Sequence, residues 1–172
     1  YLFYNGYTAE WQMWGTWEAA RDDYSEPALR AFRRFLAQRY GTDQRLRAAW
    51  GDGRVTLADA SLPGEATRRP GGPRVLRDPK SERPAIDFYE FISNMDADAV
   101  LHVARIVREA TEGKALVGTY YAYLTAHGIH QQDSGHVAAR RVFDSPDIDF
   151  LMSPPNYWYR RPGEAATFMS AT

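Results

Sequence analysis

One carboxylate in this 172-residue chain stands where a proton donor would be useful: Glu10 follows a short aromatic run, Tyr1-Leu2-Phe3-Tyr4-Asn5, and is flanked by Trp11 and Trp14. An apolar aromatic surround withdraws water from a carboxyl and raises its pKa. Such a Glu can stay protonated near neutrality and donate to a departing oxygen. The plainer readings of Glu10 are a carboxylate at a helix start or one on the surface. Tyrosines and tryptophans collect around Glu10, at Tyr120–Tyr123 and at Tyr157–Tyr159. Each offers a flat apolar face with a polar tip, which suits a sugar, whose C–H faces are ringed by hydroxyls. Core packing accounts for many of the same rings.

The elements that must hold these residues follow from punctuation and periodicity. Tyr1 to Tyr7 reads as a strand. Ser25 is an N-cap, with Pro27 in the first turn, and Ala28, Phe32, Phe35, Leu36 and Tyr40 recur at helical spacing up to Gly41. Thr42 and Asp43 open a second, short helix that closes at Gly51. Residues 51–84, broken by repeated Pro and Gly, read as an irregular excursion above the scaffold and a candidate lid, or as a surface insertion without a role. A long helix is expected over 85–111, with Phe88, Ile92, Met95, Ala99, Val103, Ile106 and Ala110 as its apolar face. Residues 115–121 form a near-continuous apolar run, expected to be a strand buried on both faces. A short helix over 136–143 and a strand over 148–152 complete the order.

Strands alternating with helices argue for parallel β/α units, and three such units are too few for a closed sheet. The expectation is a slice of a larger barrel. In such architectures functional side chains gather at the carboxyl ends of strands. This places Glu10 after the first strand, Tyr121 and Tyr123 after the second, and Tyr157 and Tyr159 after the third.

Other chemistries find little support. There is no cysteine, hence no disulfide, thiolate nucleophile or cysteine-bound zinc within the segment. His127, His130 and His136, with Asp133, are spaced too loosely for a recognisable metal site, and neither metal nor cofactor is expected. Nucleotide-binding glycine loops and the serine-hydrolase elbow are absent. A net charge of −1 from 21 basic and 22 acidic residues gives no basic footprint for nucleic acid. Only Lys80 and Lys114 are lysines, an arginine bias best read as a codon preference. No apolar run is long enough to span a bilayer. The start lacks the basic and apolar regions of a signal peptide, so the expected location is the cytoplasm. Both ends of the chain read as cut.

A resemblance sharpens this. Tyr24-Ser25, Phe32-Arg33-Arg34-Phe35-Leu36, Arg39-Tyr40-Gly41-Thr42-Asp43, Leu46 and Ala49-Trp50-Gly51 are similar to the segment after the fourth barrel strand in glycoside hydrolase family 42, the bacterial β-galactosidases. The resemblance implies a partial (β/α)8 TIM barrel, approximately strands four to six with their helices, with residues 1–172 a fragment of one catalytic domain. It implies a retaining glycosidase with Glu10 as general acid/base and its nucleophilic Glu beyond Thr172. Trp11, Tyr121, Tyr123, Tyr157 and Tyr159 become candidate sugar contacts. A carbohydrate is the expected partner, and a homo-oligomer is open for the full-length protein. One departure stands out: the family's usual Asn before the acid/base is Ala9 here. Two other readings stay open, a non-catalytic carbohydrate-binding relative and a self-contained structural α/β domain.

Overall fold

The computed structural model describes residues 2–3, 11, 23–68, 77–121, 135–152 and 161–163. Its elements are β1 (Leu2–Phe3), α1 (Glu26–Tyr40), α2 (Asp43–Trp50), α3 (Glu65–Arg68), α4 (Arg83–Ala110), β2 (Gly118–Tyr120), α5 (Ala139–Phe143) and β3 (Phe150–Met152). The three strands form one parallel sheet in chain order, Leu2 opposite Gly118 and Gly118 opposite Phe150. The chain divides into two compact units, one of Tyr1–Trp17 with Ile92–Thr172 and one of Glu18–Phe91, so the division falls within the sequence of α4.

The 18–91 unit is built by local signals. Ser25 is extended, and its hydroxyl accepts the Ala28 N–H, while Asp23 accepts both the Ser25 N–H and its hydroxyl. Gly41 ends α1 at φ 71°, and its N–H reaches the Ala37 carbonyl. Thr42 caps α2 in the same way through Arg45, and Gly51 closes it at φ 65°. Phe32, Leu36 and Leu46 are fully buried. Phe32 sits among the rings of Phe35, Trp50, Phe88 and Phe91, with centroids 5.5–6.4 Å away. These separations are those of favourable aromatic pairs.

The excursion that starts at residue 51 is pinned where it is described. Arg33 and Arg47 donate to the Ala60 and Val55 carbonyls, and Asp43 accepts the Leu57 N–H. Arg68 is fully buried, its guanidinium between the rings of Tyr24 and Phe88 at 4.0 and 3.8 Å, and its Nε donates to the Pro63 carbonyl. The arginine bias thus has a structural use, since a planar guanidinium can serve backbone carbonyls and aromatic faces at once.

In the unit containing the sheet, α4 keeps Ile92 and Val103 of the expected face inward and turns other positions in beside them. Met95 and Ile106 are 38% and 50% exposed, and Ala99 is exposed as well. The buried positions are Ile92, Ser93, Asp96, Ala97, Val100 and Ala104. Small side chains let the helix approach its neighbours closely, and here Ala97 and Val100 join Trp11, Tyr121, Ala139 and Val142 in one cluster. The expected 115–121 strand is also shorter. Leu116 is 67% exposed and precedes the ladder, so this run is not buried on both faces along its length. Asp149 takes the place of ladder partners there: its carboxylate accepts the Val117 N–H at 2.7 Å, and its own N–H donates to the Val117 carbonyl. Arg108 holds the same carboxylate at 2.8 Å.

Candidate functional site

Two clusters of polar side chains are buried in the described residues, one in each unit. In the 18–91 unit, α4 brings Asp87 into the packing of α1 and α2. Its side chain is fully buried. Oδ2 accepts the Tyr40 hydroxyl at 2.6 Å and the Trp50 indole N–H at 2.7 Å. Oδ1 faces the guanidinium of Arg83 at 2.8 Å and that of Arg39 at 3.4 Å, and Arg39 also pairs with Glu90. Burial, and then the bond to Asp87, push the Tyr40 hydroxyl above its ordinary pKa. This arrangement explains why Tyr40 and Trp50 stand at the ends of two consecutive helices: each delivers one N–H or O–H to the same carboxylate. Asp87 was not singled out from the sequence, where it reads as a polar helix residue. Its one signal is its place between Ala85 and Phe88, on a turn buried on more than one side.

The other cluster lies where β2 ends. Tyr121 is fully buried, its hydroxyl donating to the Gly135 carbonyl at 2.9 Å and lying 3.4 Å from that of Ser93. The His136 ring is also fully buried and packs on Tyr121 with centroids 4.5 Å apart. Its Nε2 lies 3.2 Å from the Trp11 carbonyl oxygen. A carbonyl can only accept, so Nε2 carries the hydrogen of this bond. Asp96 Oδ2 stands 4.0 Å from the same nitrogen, beyond hydrogen-bond reach. Burial pushes the Asp96 carboxyl up to about 8, and burial, followed by the proximity of Asp96, pushes the Tyr121 hydroxyl up as well. Low solvation favours the neutral form of Asp96.

Trp11 is the focus of this cluster. It is 3% exposed, and its φ of 56° is left-handed. A bulky residue holds that conformation at a cost of about 1–3 kcal/mol, and only where its surroundings impose it.

Of the residues expected to do chemistry, Trp11 and Tyr121 are brought together in this cluster. Both residues are buried. Glu10, Tyr123, Tyr157 and Tyr159 lie outside the described residues, as do His127, His130 and Asp133. His136 is described and is a packed core group. Among the described residues no three potential ligands gather as a metal site would require. No helix among them is long and apolar enough to cross a membrane. Asp149 ties the residue before β2 to the start of β3 as described above. Its pKa is lowered, first by the Val117 N–H and then by Arg108.

The family model described as beta-galactosidase, glycoside hydrolase family 42, matches residues 5–144. Neither a curated protein nor a solved structure matches the chain.

Proposed function

As the chain belongs to glycoside hydrolase family 42, the beta-galactosidases, we propose that it supplies part of the active site of a retaining β-glycosidase, with Glu10 as the general acid/base. The observation that carries this reading is the family match itself, which spans Glu10 and the loops after β1 and β2. The sheet adds support, because three parallel strands in chain order are what consecutive units of a β/α barrel present. In the barrel reading they are strands four to six, and residues 1–172 are one part of a single catalytic domain. Exposed Leu116 and Phe150 are then surface that further barrel elements cover.

The chemistry follows from the two-carboxylate arrangement. In a retaining glycosidase the carboxyls stand about 5–5.5 Å apart. The nucleophilic carboxylate, on a later strand, attacks the anomeric carbon as the bond to the leaving oxygen breaks. Glu10 gives its proton to that oxygen. Glu10, now ionised, takes a proton from water, whose oxygen attacks the anomeric carbon and expels the enzyme carboxylate. No metal or cofactor is required. Tyr123, Tyr157 and Tyr159 are proposed to meet the sugar, with Trp11 and Tyr121 as support behind it. Residues 51–84 are proposed as a lid anchored through Arg68, so that bound sugar slows their proteolysis. The host protein is proposed to act in the cytoplasm as a homo-oligomer, without nucleic-acid or membrane partners.

Replacing Glu10 by Gln in the full-length protein is expected to lower turnover of an unactivated β-galactoside by about 10²–10⁴-fold, the usual worth of a positioned proton donor. Near-normal turnover would sink the assignment. Ala9, where the family usually has Asn, favours a second reading: a relative that holds the sugar without cleaving it. Sugar binding without any hydrolysis by the unmutated protein is the outcome that selects this alternative.

A further inference from the structure

The buried cluster at the end of β2 is more than packing. Its histidine spends a ring N–H on one backbone carbonyl, and that carbonyl belongs to Trp11, the residue that follows Glu10. Trp11 holds its bulky side chain on a left-handed backbone, φ 56°. His136 is itself held in place: Tyr121 stacks on its ring, and the Tyr121 hydroxyl binds the carbonyl of Gly135, the peptide that leads into it. Asp96 Oδ2 lies 4.0 Å from the same ring nitrogen.

We propose that His136, fixed by the stacking of Tyr121, is a positioning residue for the acid/base, holding the carbonyl of Trp11, the residue bonded to Glu10. This rests on the assignment of Glu10 as acid/base. His136 is not a catalytic residue in this proposal, since it meets neither substrate nor reacting atoms. Its effect reaches only those steps that need a well-aimed proton donor. A displacement of about 1 Å at such a group can cost about 10²-fold in rate.

The test uses leaving groups that differ in their need for a proton. In the full-length protein, kcat/KM is measured for 2,4-dinitrophenyl β-galactoside, whose leaving group departs without protonation, and for methyl β-galactoside, whose leaving group needs it. His136→Phe keeps the ring and removes the N–H. It is expected to lower kcat/KM about tenfold or more for the methyl glycoside while changing the dinitrophenyl substrate less than about twofold. His136→Gln, which restores a donor, is expected to recover part of the loss. Tyr121→Phe, a milder change that removes only the hydroxyl, is expected to show the same selectivity at smaller size and serves if His136→Phe does not fold. Equal losses on both substrates, or no loss on either, in a folded variant overturn the proposal.

Glu10→Gln, measured alongside, separates the two levels. If it shows the selective loss and the His136 and Tyr121 variants do not, only the positioning role fails. If Glu10→Gln shows no selectivity, or the unmutated protein cleaves neither substrate, the acid/base assignment fails and takes the positioning role with it.

Discussion

Asp87 shows how much one buried carboxylate can organise. It accepts from Tyr40 and Trp50 and faces Arg39 and Arg83, all brought from other turns or other helices. Removing it takes the acceptor from two partly buried donors and the ion-pair partner from Arg83, while Arg39 keeps Glu90, so Asp87→Ala is expected to destabilise the protein by about 3–5 kcal/mol in urea denaturation. A loss below about 1 kcal/mol would mean that the four partners find water instead. Asp96 behaves differently because burial has raised its pKa. The folded protein keeps the Asp96 proton up to about pH 8, whereas the unfolded chain releases it near pH 4. Between those values the folded state binds the extra proton, so this group's contribution to stability falls as the pH rises, by up to about 1.4 kcal/mol per unit. His136 and Tyr121 face Asp96, and Arg141, paired with Asp98, acts on Tyr121 from further out. Comparing wild type with Asp96→Asn across pH 5–8 cancels their titrations. The Asn variant is expected to gain relative stability steadily as the pH rises, and a constant difference would show that Asp96 is ionised in the fold.

At the scale of elements, what was legible was what is local. Ser25, Gly41, Thr42 and Gly51 announce the ends of α1 and α2 because a cap is decided within a few residues. Gly41→Ala, forced into the left-handed region at φ 71°, is expected to cost about 1–2 kcal/mol, read as a lowered denaturation midpoint with an unchanged slope. An unaffected midpoint would indicate that the chain leaves α1 by another route. The long helix was legible as a helix, and its inward face only in part: Phe88, Ile92 and Val103 turn inward as expected, but Met95 and Ile106 do not. Periodicity favoured the larger side chains Met95 and Ile106, whereas close packing selected Ala97, Val100 and Ala104. The second and third strands were overestimated in length for a related reason. An apolar run shows which residues could pair, and the partner decides which do. Here the Asp149 side chain takes the Val117 N–H before the ladder begins.

Across the whole molecule, the residues that carried the family resemblance prove to be scaffold. Tyr40, Gly41, Thr42 and Trp50 are helix caps and donors to Asp87, which is why the pattern could be recognised without any of them doing chemistry. Asp87 itself escaped notice because its partners lie far away in sequence. The same holds for His136, whose link to Trp11 joins two distant loops. Glu10 stood out through its neighbours' chemistry and its place after a strand. The central claim, that Glu10 is the acid/base of a retaining glycosidase, is tested most directly by chemical rescue. In full-length Glu10→Ala, with 2,4-dinitrophenyl β-galactoside as substrate, the glycosyl-enzyme forms but lacks the base that activates water. Azide needs no base to attack the anomeric carbon and displace the enzyme carboxylate. The expected result is an azide-dependent rise in turnover with β-galactosyl azide as product. Turnover indifferent to azide, or an α-configured product, would contradict the assignment.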